Sequence, residues 1–243
     1  MSTLEAQVWW ADRSAASHGL ERLLDADERG RFAAYRGRDD RDRFLLGCAL
    51  AKIVVAKRTG TPATAVRLLR TCPRCGKPHG KPRVVEPAGT GLELSVSHSA
   101  QLVGVALTAS APVGLDVEGL GRLDVEELTP VALTSAEADA VAASRPQERT
   151  HAFLVAWTRK EAVTKASGEG LGLEPRDVTV AAPGEDPRLL SWPLDVPPED
   201  VALFDLRARP GHVASLAVLG ACESVVELDG TPLLDHFRRR AGR

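Results

Sequence analysis

The chain has 243 residues, is 44% hydrophobic and 26% charged, and sets 31 Lys and Arg against 33 Asp and Glu for a formal charge of −2. That composition fits one large or two small globular domains with ample core, and it excludes a nucleic-acid binder that relies on an overall basic surface. No apolar run approaches the ~18 residues of a membrane span, and the start, MSTLEAQVWWADRS, lacks the basic head and apolar stretch of a secretory signal, so no membrane partner and a cytoplasmic location are expected.

In chain order, residues 8–10 read as a short strand, followed by a polar, charged helix over 20–35. A second helix is predicted over 42–58, where Phe44, Leu45, Leu50, Ile53 and Val54 recur at helical spacing. Gly60 and Pro62 stop it. A strand at 66–69 leads into the turn-rich stretch 72–82, and 92–97 and 102–108 read as a strand pair with its turn near 99–101. The alternating segment 113–118 opens the second half as a strand. A short helix beginning near Ser135 follows, then a long one over 147–166 that Gly168, Gly170 and Gly172 end. Strands are predicted at 178–181, 201–207 and 213–219, the last two joined by Pro210-Gly211, and 237–243 reads as a solvated basic tail. Each half thus holds a long helix and several strands. The expectation is an α+β fold with two parts, 1–110 and 111–243.

Only six of the basic residues are Lys: Lys52, Lys57, Lys77, Lys81, Lys160 and Lys165. In a chain that otherwise uses Arg, each Lys raises the question of whether its compact ammonium is needed there. In Gly114-Leu-Asp116-Val-Glu118 strand alternation puts both carboxylates on one side, where they repel each other and favour a cation between them. Oxygen-only ligands suit Mg²⁺; the plainer alternative is an exposed face paired with Arg. On the long helix Phe153, Trp157, Glu161 and Lys165 form one row. An ordinary helical ion pair would explain its end, but the aromatic start points the row inward, where an ion pair needs a reason. Ser97, His98 and Ser99 fall where a strand gives way to a turn, whose amides can hold anions. A serine nucleophile is the rival there; the Gly-x-Ser-x-Gly elbow is absent and an adjacent His is badly placed as a base. In Gly80-Lys81-Pro82 a fixed backbone presents a point charge suited to phosphate.

Taken in order, Gly-Lys-Pro, Ser-x-Ser-His-Ser, Gly-x-Asp-x-Glu and Trp-Thr-x-Lys-Glu-Ala-x-x-Lys resemble the 4′-phosphopantetheinyl transferases, and the length resembles their Sfp-type branch. The resemblance runs from about Asp25 to Leu173. It implies two similar α+β halves related by a pseudo-twofold, with the active site in the cleft between them. It further implies transfer of the phosphopantetheine arm of coenzyme A to a serine of an apo acyl or peptidyl carrier protein, releasing adenosine 3′,5′-bisphosphate, by a chain expected to act as a monomer. By motif match Asp116, Glu118 and Glu161 would hold Mg²⁺, with Glu161 as general base. Lys165 would stabilise phosphoryl charge or help the leaving group, and Lys160, Lys81, Ser97 and His98 would contact the nucleotide phosphates. Arg43, with Arg31 second, matches the basic residue near the 3′-phosphate. Phe44 replaces a hydroxyl residue of some relatives, and Cys48 stands where Arg is common.

The competing reading, a zinc-binding interaction module, rests on Cys72-Pro-Arg-Cys75 and His79, three of four zinc ligands. A disulfide or two free thiols are the alternatives at that pair. Four cysteines in a chain of this size do not make a disulfide scaffold.

Overall fold

A computed structural model describes residues 5–72 and 74–239. The first part runs β1 (Glu5–Asp12), α1 (Ala26–Ala34), α2 (Arg38–Thr59), β2 (Arg67–Leu69), β3 (Arg83–Glu86), β4 (Leu92–Ser99) and β5 (Leu102–Ala109). The second runs β6 (Val113–Gly119), α3 (Val125–Ala132), α4 (Ser135–Ala143), α5 (Arg149–Ser167), β7 (Thr179–Val180), β8 (Leu189–Ser191), β9 (Val201–Leu206), β10 (His212–Leu219), β11 (Ser224–Asp229) and α6 (Thr231–Arg239). The architecture is mixed α and β, as expected. No helix among the described residues is long and apolar enough to cross a membrane.

A six-stranded sheet has the order β11-β1-β5-β4-β3-β2, and a three-stranded sheet has the order β6-β10-β9. One face of the larger sheet carries α2, whose Leu46, Leu50 and Val54 pack with Leu94, Val103 and Val105. Its other face meets the smaller sheet, where Val8, Trp10 and Leu102 pack with Leu115, Val117 and Leu216. The far side of the smaller sheet is crossed by α5. Both long helices end as their glycines dictate, with Gly60 and Gly168 in the left-handed region at φ 74° and 79°.

The single helix expected over 20–35 is broken by a capping box. The Asp25 side chain accepts from the Glu28 amide while Glu28 reaches back to the Asp25 amide, so α1 starts only there. A second box, Thr134 with Glu137, opens α4. In both boxes the Glu also pairs with a buried Lys of the following long helix. Lys52 of α2 lies 2.5 Å from Glu28, and Lys160 of α5 lies 2.5 Å from Glu137. Lys52 precedes Gly60, and Lys160 precedes Gly168, by the same spacing.

The last segment returns to the first part of the chain. β11 pairs in parallel with β1, and α6 packs beside α2. Phe237, expected in a solvated tail, instead packs against the first core, its carbonyl accepting from Arg22 and its ring under the Arg22 guanidinium. The rest of that expected tail, 240–243, lies outside the described residues.

Candidate active site

Strand alternation turns Val113, Leu115 and Val117 towards the larger sheet and Gly114, Asp116 and Glu118 towards α5. Gly114 sets the distance between them. A Cβ there would run into the Ala162 carbonyl and the Ala166 amide, so only glycine lets the helix backbone come this close. The approach brings Glu161 and Lys165, one turn apart on α5, beside Asp116. Together with Val96, Ser97, His98, Glu118 and Trp157 they line a cleft of about 230 Å³.

A row of serines joins the two sheets. The amides of Leu115, Val117 and Gly119 donate to the hydroxyls of Ser95, Ser97 and Ser99 at 3.0, 3.3 and 3.1 Å. Ser97 and Ser99 then donate to Asp116 Oδ1 (3.1 Å) and Glu118 Oε2 (2.8 Å). Ser97 also accepts from Lys165 Nζ at 3.2 Å, which uses its full hydrogen-bonding capacity. The hydroxyls thus stitch β4 to the edge of β6 and aim the carboxylates.

Asp116 is 3% exposed. Its Oδ1 accepts from Lys165 Nζ at 2.5 Å, while its Oδ2 is buried with no partner. Burial, then the charge of Asp116, raises the pKa of both Glu118 and Glu161 above the ordinary carboxylate value. His98 also lines the cleft, with positive charges around it. Its pKa is lowered by the surrounding protein, then by Arg43, Lys165 and Arg70. The carboxylates are therefore short of a cation, and His98 on the same cleft stands in the field of Arg43, Lys165 and Arg70.

The other expected residues stand as follows. Arg43 is close to His98 but gives its guanidinium to the Ala100 carbonyl (2.8 Å) and to Asp40 (2.6 Å). Arg31 lies over the Phe44 ring, 4.9 Å from its centroid. Lys81 reaches across from the first part to the end of α5, donating to the Ala166 carbonyl at 2.9 Å, with Glu93 at 3.6 Å. Lys160 is not in the cleft. It is 1% exposed and donates to the carbonyls of Ala132 and Pro175 at 3.1 and 2.9 Å, as well as pairing with Glu137. These contacts tie α5 to α3, to α4 and to the chain at Pro175. Arg70 escaped the sequence reading. Its Nε is buried without a partner and its charge reaches His98. No motif marks it among the chain's many arginines.

A larger groove, about 940 Å³, lies between β9 and β11 and includes none of the expected site residues. Cys72, Cys75 and His79 do come together, in a loop of their own.

Residues 112–217 match the profile of the 4′-phosphopantetheinyl transferase superfamily, a span that includes Asp116, Glu118, Glu161 and Lys165. A 4′-phosphopantetheinyl transferase of Bacillus subtilis is 25% identical over 169 residues, 68% of this chain and 70% of that protein. The 4′-phosphopantetheinyl transferase HetI of a Nostoc species is 27% identical over 203 residues, 83% of this chain and 81% of its own. The holo-[acyl-carrier-protein] synthase structure of Thermotoga maritima is 22% identical, covers 45% of this chain and 63% of that one, and superposes with a TM-score of 0.36. Residues 112–217 thus carry the superfamily match, and the chain is an enzyme of the 4′-phosphopantetheinyl transferase type. The interaction-module reading of the cysteine loop is accordingly not favoured as a description of the protein.

Proposed function

We propose that this cleft transfers the 4′-phosphopantetheine arm of coenzyme A to a serine of an apo acyl or peptidyl carrier protein, with Mg²⁺, releasing adenosine 3′,5′-bisphosphate. The observation that carries the reading is the unpartnered, buried Asp116 Oδ2 beside Glu118 and Glu161, with Lys165 at Asp116 and with His98 on the same cleft in the field of Arg43 and Arg70. Three carboxylates and an orphaned oxygen fit a hard divalent cation. Asp116, Glu118 and Glu161 would hold it, and when bound it would offset negative charge on the pyrophosphate.

The protein's own groups account for the remaining steps. Arg70, His98, Arg43 and Lys81 bind phosphate oxygens, and the buried Arg70 Nε takes one as its missing acceptor. Glu161, its basicity raised by burial and by Asp116, removes the proton of the carrier serine hydroxyl. The serine oxygen bonds to the phosphorus bearing the pantetheine arm, the phosphorus–oxygen bond to the nucleotide half breaks, and the electron pair leaves with adenosine 3′,5′-bisphosphate. Lys165, held by Asp116 and Ser97, stabilises charge on the transferring phosphoryl oxygens.

We also read the chain as two related halves about a pseudo-twofold, acting as a monomer. The repeated unit of capping-box Glu, buried Lys and left-handed glycine in α1–α2 and in α4–α5 supports the two-half relation.

The test is incubation with coenzyme A, Mg²⁺ and an apo carrier protein, followed by intact-mass measurement. One phosphopantetheinyl group per carrier, lost when EDTA replaces Mg²⁺, is expected. An unmodified carrier with every active control modified would contradict the reading.

A further inference from the structure

The loop between β2 and β3 holds a second ligand set that the transfer reaction does not use. Its two ends are pinched together by the Gly80 amide donating to the Arg70 carbonyl at 2.6 Å. A Cβ at Gly80 would collide with the Thr71 backbone, so only glycine permits the pinch. Inside the loop the Cys72 amide donates to the Lys77 carbonyl and the Gly76 amide to the Cys72 carbonyl, both at 2.9 Å. Gly76 supplies the left-handed residue, φ 69°, that turns the chain after Cys75. The fold thereby gathers one ligand atom each from Cys72, Cys75 and His79 within 4.8 Å of one another, with Cys75 Sγ 3.0 Å from His79 Nε2.

Tetrahedral zinc, with bonds of about 2.3 Å to sulfur and about 2.0 Å to nitrogen, needs ligand atoms roughly 3.5–3.8 Å apart. With one pair at 3.0 Å and all three within 4.8 Å, the trio reaches that spacing by side-chain shifts of about 1 Å. Two further features favour the metal-binding form of this turn. The backbone amides of Arg74 and Cys75 face the Cys72 sulfur. All four cysteines of the chain are free thiols, with Cys75 exposed to solvent.

We propose that Cys72, Cys75 and His79 bind one Zn²⁺, with a solvent molecule completing four ligands. The ion closes the loop whose two feet are Arg70 and Lys81. Its role is structural, fixing where those two cations stand, and it is separate from the acidic cleft.

The test is metal content and spectroscopy on the full chain, purified under reductant and dialysed against metal-free buffer after loading with Zn²⁺. About one zinc per chain is expected, falling at least tenfold in His79→Ala and Cys75→Ser. Replacement by Co²⁺ should give a thiolate-to-cobalt charge-transfer band in the wild type that both variants lose. Because His79 and Cys75 are exposed, both variants are expected to keep wild-type circular dichroism; the cobalt band of the wild type decides the matter if either does not. Wild type that retains no zinc and gives no cobalt band would overturn the proposal, as would loss of two titratable thiols that reductant restores, which marks a Cys72–Cys75 disulfide. None of these readouts depends on transfer activity, so failure here and failure of the transferase reading are distinguishable.

Discussion

Asp116 and Cys48 are both buried, and the sequence marks only one of them. Asp116 sits in an alternating strand beside a second carboxylate, and that pattern is legible because strand geometry alone puts both on one side. Cys48 looks like any helical cysteine. In the fold it is 1% exposed, and burial, then the charge of Glu28, pushes its thiol up to about 12. Native protein at pH 8 is expected to leave Cys48 unmodified by a thiol reagent that labels Cys75, with Cys48 labelled after denaturation; equal labelling in the native state would contradict its burial. The raised value also has a pH sign. Between about 9 and about 12 the folded thiol keeps a proton that the unfolded chain has released, so this contribution to stability is intact below pH 9 and falls as pH rises. Denaturant midpoints at pH 8 and pH 10.5 should therefore fall further in wild type than in Cys48→Ala.

At the scale of elements, two contacts decide where the site residues stand. The first is the crossing of β6 by α5 at Gly114. Gly114→Ala puts a methyl group into the helix backbone and is expected to cost about 3 kcal/mol or more. Gly30→Ala in α1, where a Cβ meets nothing within 4 Å, should instead gain about 0.5–1 kcal/mol. Equal effects of the two in chemical denaturation would refute the close crossing. The second is the Lys160–Glu137 pair, which ties α5 to the cap of α4 and, through the Val180 amide on Glu137 Oε1, to β7. Lys160→Ala is expected to destabilise the fold by about 3–5 kcal/mol, because it strands a buried carboxylate, and the Lys160→Met/Glu137→Gln double variant, which removes that charge and keeps an acceptor for the Val180 amide, should recover part of it. A stable Lys160→Ala protein with weakened coenzyme A binding would return Lys160 to the nucleotide. The motif match assigns Lys160 to the nucleotide phosphates, but neighbours on a helix are about 100° apart, so Lys160 and Glu161 face different surroundings.

Across the whole molecule, the legible parts were those with local periodicity. The long helices, the β4–β5 pair and β6 all follow from spacing and glycine stops. Long-range closure was not legible. Nothing in residues 224–239 announces that β11 returns to pair with β1, since edge pairing is set by what the rest of the sheet leaves open. The serine row was likewise visible as Ser95, Ser97 and Ser99 on alternate positions, but its meaning depends on the edge of β6 arriving beside it. The central claim is that the acidic wall around Asp116 performs the transfer. Single-turnover transfer to an apo carrier, at saturating coenzyme A and Mg²⁺, tests it in wild type and Asp116→Asn. The variant keeps the side chain's shape and should keep wild-type circular dichroism while its rate falls by about 10²-fold or more. A folded Asp116→Asn enzyme that transfers at near the wild-type rate would contradict the account.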